Sequence, residues 1–299
     1  MIKRTLYFGN PAYLHKKQQQ LKVINPDDNS ELGSVPIEDI GVVMLDNPQI
    51  TITHALMAAL LERNTAIISC DDRHLPVGLM LPLDGNSIQA ERFRYQIDAS
   101  EPLKKNLWSQ TVKAKIENQA TVLHLAGIEN KRLTALVPQI QSGDPDNAEG
   151  RAASVYWKLL FDNIDFTRNR YGSFPNPHLN YCYAILRAIV ARGLVGSGLL
   201  PTLGIHHRNK YNAYCLADDI MEPYRPYCDC LVYQMVNNGE ICDEDITREQ
   251  KAKLLSIASV DIVIDGKKSP LMVGLARTTH SLAECFEGKR RKIIYPCFA

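Results

Sequence analysis

An α+β chain, with a small β-rich N-terminal domain followed by a larger and mainly helical domain, is predicted by three features of the sequence. The hydrophobic period changes from about 2 to about 3.6 near residue 85, a turn-rich segment lies at that point, and the apolar content suffices for two cores. With 299 residues, 45% of them hydrophobic, the chain exceeds the usual size of a one-core domain. The expected domains are residues 1–85 and 86–299.

In the first domain, apolar runs at 5–8, 21–24, 41–45 and 65–70 read as strands, being short and rich in β-branched and aromatic residues. The segment 25–30 (NPDDNS) supplies the asparagine, aspartate and proline that suit a hairpin turn. One helix is expected from about Thr53 to Arg63, with Leu56, Leu60 and Leu61 on one side and Asn64 as terminator. The segment 82–87 (PLDGNS) reads as a linker.

Beyond it, helical periodicity marks 89–99, 102–126, 129–141, 147–161, 178–192, 213–236, 246–258 and 271–286. In 178–192, Cys182, Ile185, Leu186, Ile189 and Val190 form an apolar stripe, with Asn176 expected as cap and Pro177 at the first helical position. Pro223 and Pro226 lack the N–H groups that would bond the carbonyls of Asp219 and Glu222, so the helix through them should kink. The segment 260–271 reads as a small hairpin turning at Asp265-Gly266.

Lysine plus arginine number 34 against 33 acids, so net charge points to no partner and any basic surface must come from local segregation. Eight cysteines scattered through apolar segments suit a reducing cytosol and read as buried thiols, Cys228 and Cys230 included. The N-terminus has no basic stretch with an apolar core and cleavage site, and no apolar run approaches the roughly 20 residues of a membrane span. A soluble, cytoplasmic protein is expected.

Potential ligands are densest at Gly204-Ile205-His206-His207 and Asp218-Asp219-Ile220-Met221-Glu222-Pro223. On a helix Asp219 and Glu222 are three apart and share a face, so both can approach one cation, while Asp218 points elsewhere. The same residues also read as a solvated acidic face beside an ordinary histidine pair, since the spacing fits no zinc motif. Glu149 sits in the first turn of an Ala-rich helix, where the helix dipole favours a carboxylate whatever its role. No Ser-His-Asp or Cys-His arrangement stands near this cluster.

Four segments in register carry a resemblance: Ala148-Glu149-Gly150-Arg151-Ala152-Ala153, Asn180-Tyr181-Cys182-Tyr183-Ala184-Ile185-Leu186-Arg187, Gly204-Ile205-His206-His207, and Asp219-Ile220-Met221-Glu222-Pro223-Tyr224-Arg225-Pro226. Together they resemble the CRISPR-associated spacer integrase/endonuclease family (Cas one), the paired histidines most like its type II variant. The stretch Pro36-Ile37-Glu38-Asp39-Ile40-Gly41 is similar to that family's β-domain, so the resemblance covers nearly the whole chain. It implies that 1–85 dimerises, that 86–299 is catalytic, and that Glu149, His207 and Glu222 hold a divalent metal, with Asp219 as a nearby second acid. The family pattern selects His207 over His206, which stays open as an alternative.

Two carboxylates and an imidazole suit Mg²⁺ or Mn²⁺, and zinc less, there being no cysteine ligand. The resemblance implies integration of spacer DNA into a CRISPR array by attack of a 3′-hydroxyl on a phosphodiester, with Cas two as partner in an assembly built from homodimers. The alternatives are a metal-dependent nuclease without an integration role and a non-enzymatic DNA-binding scaffold. Candidate phosphate contacts are the run Lys289, Arg290, Arg291 and Lys292, and also Arg92, Arg94, Lys104, Lys105, Lys113 and Lys115. Trp108 and Trp157 read as core, and His54, His124 and His280 as helix-surface residues.

Overall fold

A computed structural model describes residues 3–164 and 166–298. It divides into two compact units, Met1–Ser87 and Ile88–Ala299. The first contains β1 (Arg4–Phe8), β2 (Ala12–Lys17), β3 (Gln20–Ile24), β4 (Glu31–Pro36), β5 (Ile40–Leu45), β6 (Ile50–Ile52), α1 (His54–Glu62), β7 (Ala66–Cys70) and β8 (Pro76–Met80). One sheet runs β1-β5-β7-β8, parallel except for β8. The other runs β4-β3-β2-β6, antiparallel except for the β2–β6 pair. Leu14 and Leu21 from one sheet, Ile40, Val43 and Ile67 from the other, and Leu56 and Leu60 from α1 form one buried cluster.

The turn chemistry of 25–30 works as its composition requires: Asn25 and Asp28 side chains accept from the amides of Asp27 and Ser30, and Asn29 takes φ 60°. Asn64 ends α1 with φ 54°, the left-handed conformation that asparagine tolerates.

The second unit contains α2 (Gln89–Ile97), α3 (Glu101–Leu125), α4 (Lys131–Thr134), α5 (Ala148–Leu160), α6 (Asn176–Gly196), α7 (Cys215–Met221), α8 (Arg225–Asn237), α9 (Arg248–Leu255), β9 (Asp261–Ile264), β10 (Lys267–Pro270), α10 (Leu271–Phe286) and β11 (Cys297–Phe298). The stripe of α6 is fully buried, and the helix packs against α7, α8 and α10. Helix α3 packs against α5, α8 and the short turn at Glu222–Tyr224. The hairpin β9–β10 turns at Asp265 and Gly266, with φ 52° and 70°.

Three local expectations need correction. Asn176 does not cap α6 but begins it; its side chain faces back to Thr167, Arg168, Asn169 and Ser173. The expected helix over 129–141 shrinks to α4 and a 3₁₀ turn at Val137–Gln139, because Pro138 has no N–H to continue it. The stretch 213–236 is two helices, α7 and α8, separated by the 3₁₀ turn Glu222–Tyr224, where Pro223 and Pro226 break the ladder. No disulfide forms among the described residues, and none of their helices is long and apolar enough to cross a membrane.

Candidate active site

Glu149 is placed by an elaborate helix start. Asn147, at φ 49°, caps α5 by accepting from the amide of Gly150, and the two carboxylate oxygens of Asp144 accept from the amides of Ala148 and Glu149 at 2.8 and 3.0 Å. These contacts satisfy amides that have no partner within the helix, so they fix where the Glu149 side chain leaves the backbone. Glu222 opens the 3₁₀ turn and is 6% exposed. Its Oε1 is 2.9 Å from Nε of Arg225, and its Oε2 is 2.5 Å from Nζ of Lys115 without a properly directed hydrogen bond. Nζ of Lys115 also donates to Oε1 of Glu149. Helix α3, the start of α5 and the turn before α8 thus meet at one buried ammonium. Asn118, three residues on from Lys115, pins that turn by donating to the carbonyls of Pro223 and Pro296 at 2.8 and 3.1 Å.

Asp219 has a different task. It is fully buried; Oδ2 accepts from the amides of Ile205 and His206, and Oδ1 accepts from the amide of His207 and stands 2.5 Å from its Nδ1. The carboxylate therefore folds the 204–207 loop around itself. Gly204 is required by that close approach, since a Cβ there would collide with the His207 carbonyl and lie 2.7 Å from Oδ2 of Asp219. His206 lies flat on Trp108, ring centroids 4.1 Å apart, and His207 meets the same indole edge-on. Asp218 turns to Arg187 and Asn212. Asp219 and Glu222, three apart in sequence, thus face different protein groups: Asp219 the 204–207 loop, Glu222 the Lys115 ammonium and the Arg225 guanidinium.

The electrostatics follow from these contacts. Burial pushes the Glu222 carboxyl up, but Arg225 and Lys115 more than offset it and hold it at about 2. Burial likewise opposes the Lys115 charge, and Glu222 and Glu149 outweigh it, so its pKa is raised. The hydrogen bond to Asp219 raises His207, whereas burial and the neighbouring His207 lower His206.

Glu149 and Glu222 are brought together; His207 lies near enough to feel the charge of Glu222 but is turned toward Asp219. Among the described residues no three His, Cys, Asp or Glu side chains are gathered within ligating distance of one point. The donor set nevertheless suits a hard divalent cation, because two carboxylates already converge on a cationic group. Asp219 also occupies Nδ1 of His207, leaving Nε2 as the ring nitrogen for a ligand, the arrangement in which a carboxylate orients a metal-binding imidazole.

A cavity of about 270 Å³ opens here, lined by Glu149, Glu222, Lys115, Arg225, Tyr183, Trp157, Arg168 and Asp229 among others. Asp229, overlooked in the sequence between two cysteines, accepts from the hydroxyls of Tyr183 and Tyr156 at 2.5 and 3.1 Å, and burial pushes its carboxyl up to about 7. A second cavity of about 440 Å³ touches His207, Lys104, Arg208 and Lys210. Of the candidate phosphate contacts, Lys115 is occupied between the carboxylates, and Arg92 is buried against Glu287 and the Ser197 carbonyl. Lys289 and Arg290 pair with Glu287 and Glu284; all four residues of the 289–292 run are exposed.

Comparison with known proteins agrees with this architecture. The family model described as CRISPR associated protein Cas1 matches residues 6–266. A CRISPR-associated endonuclease Cas1 of Neisseria meningitidis serogroup C is 36% identical over 294 residues, covering 98% of this chain and 95% of the relative. One from Pyrobaculum aerophilum is 26% identical, covering 83% and 88%. Among solved structures, a casposase bound to an integration product superposes with a TM-score of 0.80 at 18% identity, covering 98% of this chain and 92% of that one. A Cas1 protein from Thermotoga maritima gives 0.76 at 16% identity, covering 97% and 99%. The chain belongs to the CRISPR-associated Cas1 family.

Proposed function

We propose that this chain is a metal-dependent DNA integrase, inserting spacer DNA into a CRISPR array by attack of a DNA 3′-hydroxyl on a backbone phosphodiester. The observation that carries the reading is the convergence of Glu149 and Glu222 on one buried cationic point. The relatives named endonucleases support phosphodiester chemistry, and the casposase with its integration product supports joining. Structural neighbours that are complexes with Cas2, and one with DNA, support those partners. A homodimer within a larger, cytoplasmic assembly is part of the same reading.

Glu149, His207 and Glu222 would hold Mg²⁺ or Mn²⁺. Such an ion polarises a phosphate and stabilises charge developing on its oxygens. Asp219 is assigned to positioning: it fixes the tautomer of His207 and the loop that presents it. Lys115 neutralises the carboxylate pair and must give way for a divalent ion to enter. Arg225 keeps Glu222 ionised, hence competent as a ligand, down to low pH. Arg291 and Lys292, which form no ion pair among the described residues, are proposed as phosphate contacts beside Lys289 and Arg290.

His207→Ala tests the reading. Strand joining with Mn²⁺ should fall to background while DNA binding is kept, since the stack of His206 on Trp108 remains. Joining at the wild-type rate would show that His207 holds no catalytic metal; a wild type that binds DNA without joining or cleaving it would favour a scaffold, and cleavage without joining would favour a nuclease using the same residues.

A further inference from the structure

Arg168 lines the cavity that Glu149 and Glu222 also line, and it differs from the other two cations there. Lys115 and Arg225 are ion-paired to carboxylates. Arg168, among the described residues, is held by neutral oxygens: Nη1 donates to the Asn169 carbonyl (3.1 Å) and Asn176 Oδ1 (2.8 Å), and Nη2 to Asn180 Oδ1 (2.8 Å). Its guanidinium lies over the Tyr183 ring, 5.2 Å from the centroid.

The amides that hold it are themselves fixed. Asn176 Nδ2 donates to the carbonyls of Thr167 and Ser173, and Asn180 Nδ2 to that of Arg170, so each side-chain oxygen is left to face the arginine. The two asparagines stand four apart on the first turns of α6 and therefore share a face. Asp229, the acid beside Tyr183, is engaged by two tyrosine hydroxyls and makes no ion pair with Arg168. An arginine oriented in advance by amides and, among the described residues, ion-paired with no carboxylate is suited to receive an anion, and a guanidinium matches phosphate oxygens in particular.

We propose that Arg168 is a fixed anchor for a phosphate of the DNA strand entering this cavity, holding a phosphodiester that neighbours the one at Glu149 and Glu222. The assignment rests on the DNA-joining reading above. Asn176 and Asn180 position the anchor, and Arg225 and Tyr183 form the wall between it and Glu222.

The test is DNA binding by fluorescence anisotropy in EDTA between about 50 and 200 mM KCl, a range over which phosphate contacts are readily resolved. Arg168→Ala should weaken binding about tenfold and reduce the slope of log K against log salt by about 1. Arg168→Lys, which keeps the charge and loses the fork, should keep the slope and weaken binding several-fold. A scan of DNA carrying one neutral methylphosphonate at a time should reveal one position that costs the wild type affinity and costs Arg168→Lys less. If Arg168→Ala does not fold, the scan with Arg168→Lys decides alone. An unchanged salt slope in Arg168→Ala, or no position whose cost depends on residue 168, overturns the proposal. A wild type that binds DNA without joining it would instead sink the integrase reading and leave the anchor standing.

Discussion

Lys115 is the side chain on which the candidate site turns, because its ammonium stands where two carboxylates would otherwise repel each other. Lys115→Met should tighten Mn²⁺ binding by calorimetry on the order of tenfold, since a competing charge is removed while the acids remain; weaker binding would mean that the lysine helps to hold the ion. Asp229 makes a prediction of opposite electrostatic sense. Burial raises its pKa from 3.8 to about 7, so the folded chain keeps a proton that the unfolded chain has lost between those values. Stability should therefore fall as pH rises through this window, by a cost on the order of 4 kcal/mol at most once the carboxyl is ionised. Asp229→Asn stays neutral, so its melting temperature should climb relative to wild type from about pH 4 to 8, which brackets that window; a pH-independent difference would show that the carboxyl is not proton-bound. Glu149, His207 and Glu222 are read from the sequence only through the resemblance their segments carry, since a first-turn glutamate such as Glu149 is otherwise explained by the helix dipole. Lys115 reads only as one of several candidate phosphate contacts: one lysine among others in a long helix has no spacing that marks it, and only packing shows which acids it meets.

At the level of elements, two devices hold the site's backbone. The first is the start of α5, where Asp144 satisfies two amides. Asp144→Ala should cost about 1–2 kcal/mol in chemical denaturation, as a lost helix cap does, and lower joining further by loosening Glu149. The second is the 204–207 loop wrapped on Asp219, where Gly204→Ala should abolish joining because the added methyl has no room. Near-wild-type activity in that variant would show that the loop does not present His207. The break between α7 and α8 could be read from Pro223 and Pro226, since a missing N–H acts locally. Strands β2, β4, β6 and β8 left little trace in the sequence. They are short or carry polar and glycine residues (AYLHKK, ELGSVP, ITI, PVGLM), and it is pairing with neighbours that makes them strands.

For the whole molecule, the change of period near residue 85 reflects a physical difference between a unit that buries sheet faces and one that buries helical stripes. The β-rich unit leaves Leu32, Val77 and Met80 exposed, at 63, 69 and 44%. If the chain self-associates through β8, Val77→Glu should shift sedimentation toward monomer; an unchanged sedimentation coefficient would place any interface elsewhere. The measurement that bears most directly on the central claim is anomalous diffraction from crystals soaked in Mn²⁺. One peak within bonding distance of Glu149, His207 Nε2 and Glu222, with Lys115 displaced, is the predicted result. A peak that excludes His207, or an ammonium that stays between the carboxylates at saturating Mn²⁺, would contradict it.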